Sequence, residues 1–214
     1  MSKYQFGESD VYLPGTEIPR NRLGITEAEL LHAIEESLLQ QAYETFVAEL
    51  QPETRFDEAY FRSLHQRTWA SLYDWAGEYR SVDVSKGGSL FCRAAYLESE
   101  SHRLFLTLEQ DGFLKSASAW PKDRFAERLA YYQCELIALH PFYELNGRIT
   151  RLFFDLIAIY SGYGPIDYSV ALGKTPDEGN AYIQASIACV RAADNIPLRQ
   201  IIFDGLSKAD ASGV

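Results

Sequence analysis

Residues 140–151 interrupt the most apolar part of this chain with a short polar insert, and that interruption constrains the fold more than any other feature. The stretches 128–139 and 152–160 on either side carry apolar residues at helical spacing. Two core helices must therefore be joined at a polar corner. Pro141 has no N–H and disfavours helix at His140, so the first helix ends there. Asn146-Gly147 is a turn signal in which both residues tolerate positive φ. The second helix restarts near Gly147 or Arg148.

The residue types in the insert point to chemistry. A helix starting at this corner directs free N–H groups and a positive dipole end into it, which makes an anion site. Arg148 and Arg151 are three apart and share a helix face beside that site. Two forked cations suit a polyphosphate better than a single carboxylate. Glu144 would repel bound phosphates unless a cation lay between them, and Mg²⁺ held by one carboxylate plus phosphate oxygens meets that need. His140 titrates near neutrality and can accept a hydroxyl proton. These residues read as a Mg-nucleotide site with a base poised over an acceptor. A plain helix-loop-helix corner explains any one of them, but not all six polar positions together.

The stretch His140-Pro141-Phe142-Tyr143-Glu144-Leu145-Asn146-Gly147-Arg148-Ile149-Thr150-Arg151 resembles the signature of the Fic family, His-Pro-Phe-x-[Asp/Glu]-Gly-Asn-Gly-Arg-x-x-Arg. It departs at Leu145, where the family has a small residue. Asp74-Trp75-Ala76-Gly77 is similar to the family segment that leads into a β-hairpin flap, here Lys86, Gly87, Gly88, Ser89, Leu90 and Phe91. Asp10-Val11-Tyr12 with Asn21-Arg22-Leu23-Gly24-Ile25, and Gln184-Ala185-Ser186-Ile187 with Pro197-Leu198, extend the likeness over roughly residues 4 to 205. The resemblance implies a mainly α, single-domain helical bundle with a short hairpin flap. It implies a protein adenylyltransferase moving AMP from ATP to a Tyr, Ser or Thr hydroxyl. His140 is then the base and Glu144 the Mg²⁺ ligand. Asn146 and the backbone from Leu145 through Gly147 to Arg148 form the phosphate nest. Arg148 clamps the outer phosphates, Arg151 orients the γ-phosphate, and Phe142 anchors the loop in the core. The flap adds a strand to the target segment.

Leu145 leaves two outcomes open. Its side chain points away from the nest, or it weakens nucleotide binding and leaves a nucleotide- or peptide-binding module. An αL backbone there costs about 1–2 kcal/mol. An enzyme of the same fold using another donor (UMP, phosphocholine, phosphate) is the further alternative. Gly147 argues against phosphate transfer, which relatives with Lys at that place perform. The family's inhibitory pattern, [Ser/Thr]-x-x-x-Glu-[Gly/Asn], is missing: only Glu178 precedes Gly or Asn, and Lys174 stands four residues earlier. The resemblance therefore implies a toxin held by a separate small helical antitoxin that supplies a glutamate to Arg151. Candidate targets are DNA gyrase and topoisomerase IV.

At 214 residues and 47% apolar content the chain can bury a substantial core. No apolar run of membrane length and no leader-like N-terminus stand out, and a cytoplasmic location is expected. Cys92, Cys134 and Cys189 are odd in number and widely spaced, which suggests reduced thiols. A net charge of −10 disfavours direct nucleic-acid binding. His32, His65 and His102 lack ligand spacing, and Gly173-Lys174-Thr175 lacks the glycine that a P-loop needs. The expected layout is an arm over 1–25, a helical core over 26–206 and a frayed tail over 207–214. Thr26 with Glu29 caps a helix over 27–50, and Asp57 starts another to Trp75. The hairpin covers about 82–96, and helices follow at 97–112, 122–139, 147–161, 176–190 and 197–206.

Overall fold

A computed structural model of the chain describes residues 5–6, 11–173 and 180–208. Its centre is a pair of helices, α4 (Lys122–Leu139) and α5 (Asn146–Tyr160), joined at the polar corner. Helix α5 is buried almost throughout from Ile149 to Ala158, as its apolar sequence requires. Helices α1 (Ala28–Ala48) and α2 (Glu58–Trp69) cover α5 on one side. Helices α3 (Leu97–Gln110), α7 (Ala181–Ala192) and α8 (Ile196–Gly205) pack on α4, and the single turn α6 (Ser169–Leu172) sits against α7. One contiguous apolar core runs from Leu31 to Leu206 among the described residues. Phe56, Phe61, Phe105, Phe142 and Phe153 meet at its middle with ring centroids 5.3–6.1 Å apart. The fold is mainly α, as expected.

Several boundaries differ from the sequence expectation for local reasons. Helix α1 starts at Ala28 with Glu27 at the N-cap and no side-chain cap bond, so the Thr26–Glu29 capping box does not form. Asn21 shapes that turn instead: its amide bonds Pro19 O, Ile25 O and Ile25 N. Asp57 does cap α2, accepting from Tyr60 N at 2.9 Å. That helix stops at Trp69 rather than Trp75, and a series of turns carries the chain to Gly77. Gly77 has φ +82°, and a Cβ there would fall 2.6 Å from Gln66 Cβ, so only glycine lets the chain fold back on α2. Residues 94–96 and 112–119 are 3₁₀ turns, which shortens the expected hairpin and the helix over 97–112.

The hairpin pairs β2 (Val84–Lys86) with β3 (Ser89–Leu90) around Gly87-Gly88. Both glycines have positive φ, the geometry of a two-residue turn that matches strand twist. The arm is not wholly irregular: Gln5–Phe6 form β1, antiparallel to β2, giving the sheet order β1-β2-β3. The tail is tied down through Lys208, which bridges Tyr163, while Ser207 O accepts from Gly164 N. Lys174, Thr175 and Glu178, and residues 209–214, lie outside the described residues.

The cysteine expectation is corrected. Cys134 on α4 and Cys189 on α7 face each other with Cα atoms 5.2 Å apart and are paired as a disulfide. Helix packing brings together two apolar positions 55 residues apart, which sequence spacing does not reveal. Cys92 is the free thiol.

Candidate active site

Helix α4 ends at Leu139, one residue before the position that Pro141 forbids to helix. His140 then takes an αL backbone (φ 47°, ψ 58°) and turns its ring into the core, 6% exposed. The ring stacks on Phe91 of the flap, with centroids 3.9 Å apart and planes 17° apart. Burial, the Arg80 guanidinium and Lys86 hold its pKa well below the usual imidazole value. At neutral pH His140 is therefore neutral, the state a base requires.

The loop after it is closed by Asn146. Phe142 N donates to Asn146 Oδ1 and Asn146 Nδ2 donates to Phe142 O, both at 2.8 Å. The side chain that sequence reasoning assigned to the phosphate nest is thus consumed in holding the loop, and only the Asn146 backbone is left for that role. Phe142 is fully buried, stacked on His65 at 3.9 Å, as the anchoring expectation requires. The positive φ falls on Leu145 (φ 68°), at the N-cap of α5, and not on Asn146 or Gly147. Leu145 turns its side chain into the core, 7% exposed, and its carbonyl receives Arg148 N and Ile149 N. Its αL cost is offset by that burial, worth about 1.5–3 kcal/mol. The Leu145 side chain is part of the contiguous apolar core.

His65 on α2 ties this loop to the Gly77 turn. Its Nδ1 accepts from Gly77 N at 3.0 Å, so Nε2 carries the hydrogen towards Glu144 O at 3.2 Å. Burial pulls its pKa down to about 3. The half-buried Glu144 carboxylate meets the Tyr12 hydroxyl from the N-terminal arm.

The two motif arginines start from the same end of α5 but engage different partners. Arg148 crosses to α1: Nη1 lies 2.7 Å from Glu35 Oε2 and Nη2 lies 2.7 Å from His32 Nδ1. Glu35 is 8% exposed and also accepts from Tyr73 Oη. Arg151 lies over the Tyr182 ring of α7, 5.2 Å from its centroid, and reaches back within 3.6 Å of a Cβ built at Gly147. Behind it, buried Asp155 accepts from Tyr43 Oη (2.7 Å) and Ile166 N (3.0 Å), and burial raises its pKa to about 7.

The flap divides its residues between two directions. Lys86 and Leu90 are exposed, whereas Ser89 and Phe91 face inward. Arg191 of α7 holds the tip, donating from Nε to Ser89 Oγ (2.9 Å) and from Nη2 to Gly87 O (2.8 Å). Phe91 is thus a wall against His140 and not an outward target contact. Arg80 secures the base of the flap: its side chain donates to Val82 O, Cys92 O, Leu139 O and His140 O. Arg80, His65, Glu35, Tyr12 and Arg191 were not assigned roles from sequence. Arg80, His65, Glu35 and Tyr12 meet the corner and Arg191 meets the flap tip through tertiary contact, and only the neighbourhoods of Tyr12 and Arg80 carried a sequence signal.

A helical bundle with this corner motif and a hairpin over its histidine defines a Fic-type protein. The Fic/DOC family profile matches residues 55–158. The chain is 40% identical to a probable protein adenylyltransferase Fic of Escherichia coli, over 74% of this chain and 78% of that protein. It is 34% identical to a probable protein adenylyltransferase Fic of Salmonella typhimurium, over 88% and 92%. The chain belongs to the Fic/DOC family. Among solved structures, the BepC protein of Bartonella tribocorum with bound AMPPNP superposes with a TM-score of 0.77 at 22% identity, over 93% of this chain and 97% of that one. That likeness shows the fold.

Proposed function

We propose that this chain is a protein adenylyltransferase that moves AMP from ATP to a Tyr, Ser or Thr hydroxyl of a target protein. The observation that carries the reading is the α4–α5 corner, where a buried neutral imidazole precedes a helix N-terminus flanked by Arg148 and Arg151. The names of the Escherichia coli and Salmonella relatives support it, as does the nucleotide analogue bound to BepC.

His140 accepts the proton of the acceptor hydroxyl. The oxygen attacks the α-phosphorus, an O–P bond forms, the bond to the β-phosphate bridge breaks, and pyrophosphate leaves. Amides of the first turn of α5 and the two guanidiniums stabilise charge on the phosphates. Among the described residues no group of three or more His, Cys, Asp and Glu is arranged to hold a metal. A cation at Glu144 would therefore take most of its ligands from phosphates, the manner that suits Mg²⁺. When bound it supplies neutralisation of the leaving pyrophosphate. Tyr12 would have to release Glu144 for this.

The chain acts as a toxin in the bacterial cytoplasm, restrained by a small helical antitoxin whose glutamate engages Arg151. Among the described residues no helix is long and apolar enough to cross a membrane. DNA gyrase and topoisomerase IV are the first targets to test. The binding-module alternative rests on Leu145, whose side chain is packed in the core. The test is incorporation from α-labelled ATP into a bacterial lysate, beside His140→Ala. A labelled band lost in the variant is expected. An unlabelled lysate, or labelling that survives His140→Ala, refutes the reading, and competition by other unlabelled donors identifies a different transferred group.

A further inference from the structure

We propose that Arg80 is a positioning residue that sets the His140 base against the flap presenting the acceptor. The proposal rests on the adenylyltransferase reading of the site. Arg80 is 2% exposed, and the Asp83 carboxylate acts on it through space while its hydrogen bonds go elsewhere. A buried guanidinium with no carboxylate in hydrogen-bond contact is costly, so its partners must compensate through hydrogen bonds. They are all main-chain carbonyls. Nε donates to His140 O at 2.8 Å, Nη2 to Leu139 O at 3.1 Å and to Cys92 O, and Nη1 to Val82 O at 2.7 Å. Its own N–H donates to Pro141 O at 2.8 Å.

These carbonyls belong to three different places. Leu139 and His140 end α4, where carbonyls lack helical partners and the dipole is negative. Val82 lies just before β2, and Cys92 just after β3, so they are the two feet of the hairpin. Cys92 N reinforces the join by donating to Ala138 O at 2.9 Å. One planar side chain therefore fixes both feet of the flap and the peptide of the base. The αL backbone of His140 is a strained choice for a non-glycine residue and persists only where its surroundings over-determine it. Arg80 grips the carbonyl of that same residue. Base and flap then move together, which in-line transfer from a strand-presented hydroxyl needs.

Lysine keeps the charge but concentrates its donors at one atom, so it cannot span carbonyls on three segments. That makes Arg80→Lys the informative variant, with Arg80→Gln beside it. In protein carrying ¹⁵N-histidine, we expect the His140 ring signals to move or broaden in Arg80→Lys while those of His65 stay in place. His65, bonded to Gly77 N and Glu144 O, would report general loosening. AMP transfer from α-labelled ATP should fall on the order of 100-fold, as for a misplaced reacting group. The ATP concentration for half-maximal rate should hold within about twofold, because the α5 N-terminus is untouched. Unchanged His140 signals overturn the proposal. So does joint movement of His65 and His140 with a lowered melting temperature, or failure of both variants to fold, since Arg80 would then serve the fold alone. A wild-type chain that labels nothing sinks the adenylyltransferase reading, and the ring spectra still decide the positioning claim.

Discussion

Asn146 makes two buried hydrogen bonds to the backbone of one residue, Phe142, and so closes the loop that carries Glu144. Asn146→Ala would leave the N–H and C=O of Phe142 unpaired in the core. We expect a loss of about 2–4 kcal/mol, from about 1–3 kcal/mol for each orphaned group with some relaxation, read by urea denaturation. A loss below about 0.5 kcal/mol would mean the clasp is not formed. The buried imidazoles give a second expectation at this scale. His65 and His140 are held neutral in the fold and titrate near 6.5 otherwise. Their folded pKa values are lowered, so the unfolded chain takes up protons that the fold refuses. Their contribution is present above pH 6.5 and is lost as pH falls below it, towards about 3 for His65. Asp155 has the opposite sign. Its folded pKa is raised to about 7 from 3.8, so it favours the fold as pH falls through 7, offsetting one of the two imidazole protons. Between about pH 6 and pH 4 the net is a fall in stability of about 1.4 kcal/mol for each pH unit lost. His65→Gln can keep both hydrogen bonds and should flatten that slope, which equilibrium unfolding at several pH values would measure.

Between elements, the contact that most changes the reading of the site is α1 with α5. Glu35 and His32 occupy both outer nitrogens of Arg148. A triphosphate arriving at the α5 N-terminus must compete with the Glu35 carboxylate for that guanidinium. Glu35→Gln removes the competing charge while keeping an acceptor for Tyr73. ATP should then bind more tightly, by up to about tenfold, or roughly 1.4 kcal/mol; a nucleotide titration that shows weaker binding would instead make Glu35 a support for Arg148. Elements also explain which expectations failed. The restart of a helix after His140 was legible, since Pro141 and the apolar periodicity of 152–160 act locally. An αL backbone at Leu145 could be named from sequence, but not that it is adopted, because its cost is met by burial against distant residues. Nor did the three-residue spacing of Arg148 and Arg151 reveal that one finds its partners on α1 and the other on α7.

At the scale of the whole molecule, the Cys134–Cys189 pair ties α4 to α7, and so links the helix that ends in His140 to the helix that carries Arg191 and Tyr182. The bridge closes 55 residues of chain. In the chain-entropy account such a closure contributes about 4 kcal/mol. Thiol titration of the denatured, unreduced protein should find one thiol, Cys92, and reduction should lower the melting temperature; three thiols would show the pair to be open. What the sequence determined alone was whatever rests on neighbouring residues: the two core helices, the corner at Pro141, the Gly87-Gly88 turn, and the set of side chains gathered between His140 and Arg151. Tertiary structure alone decided what each of those side chains touches. A guanidinium or an imidazole buried in a fold must find partners, and here the partners of Arg148, Arg80 and His65 come from α1, the flap feet and the Gly77 turn. Those contacts depend on how helices pack over long chain separations, and residue spacing carries no record of that.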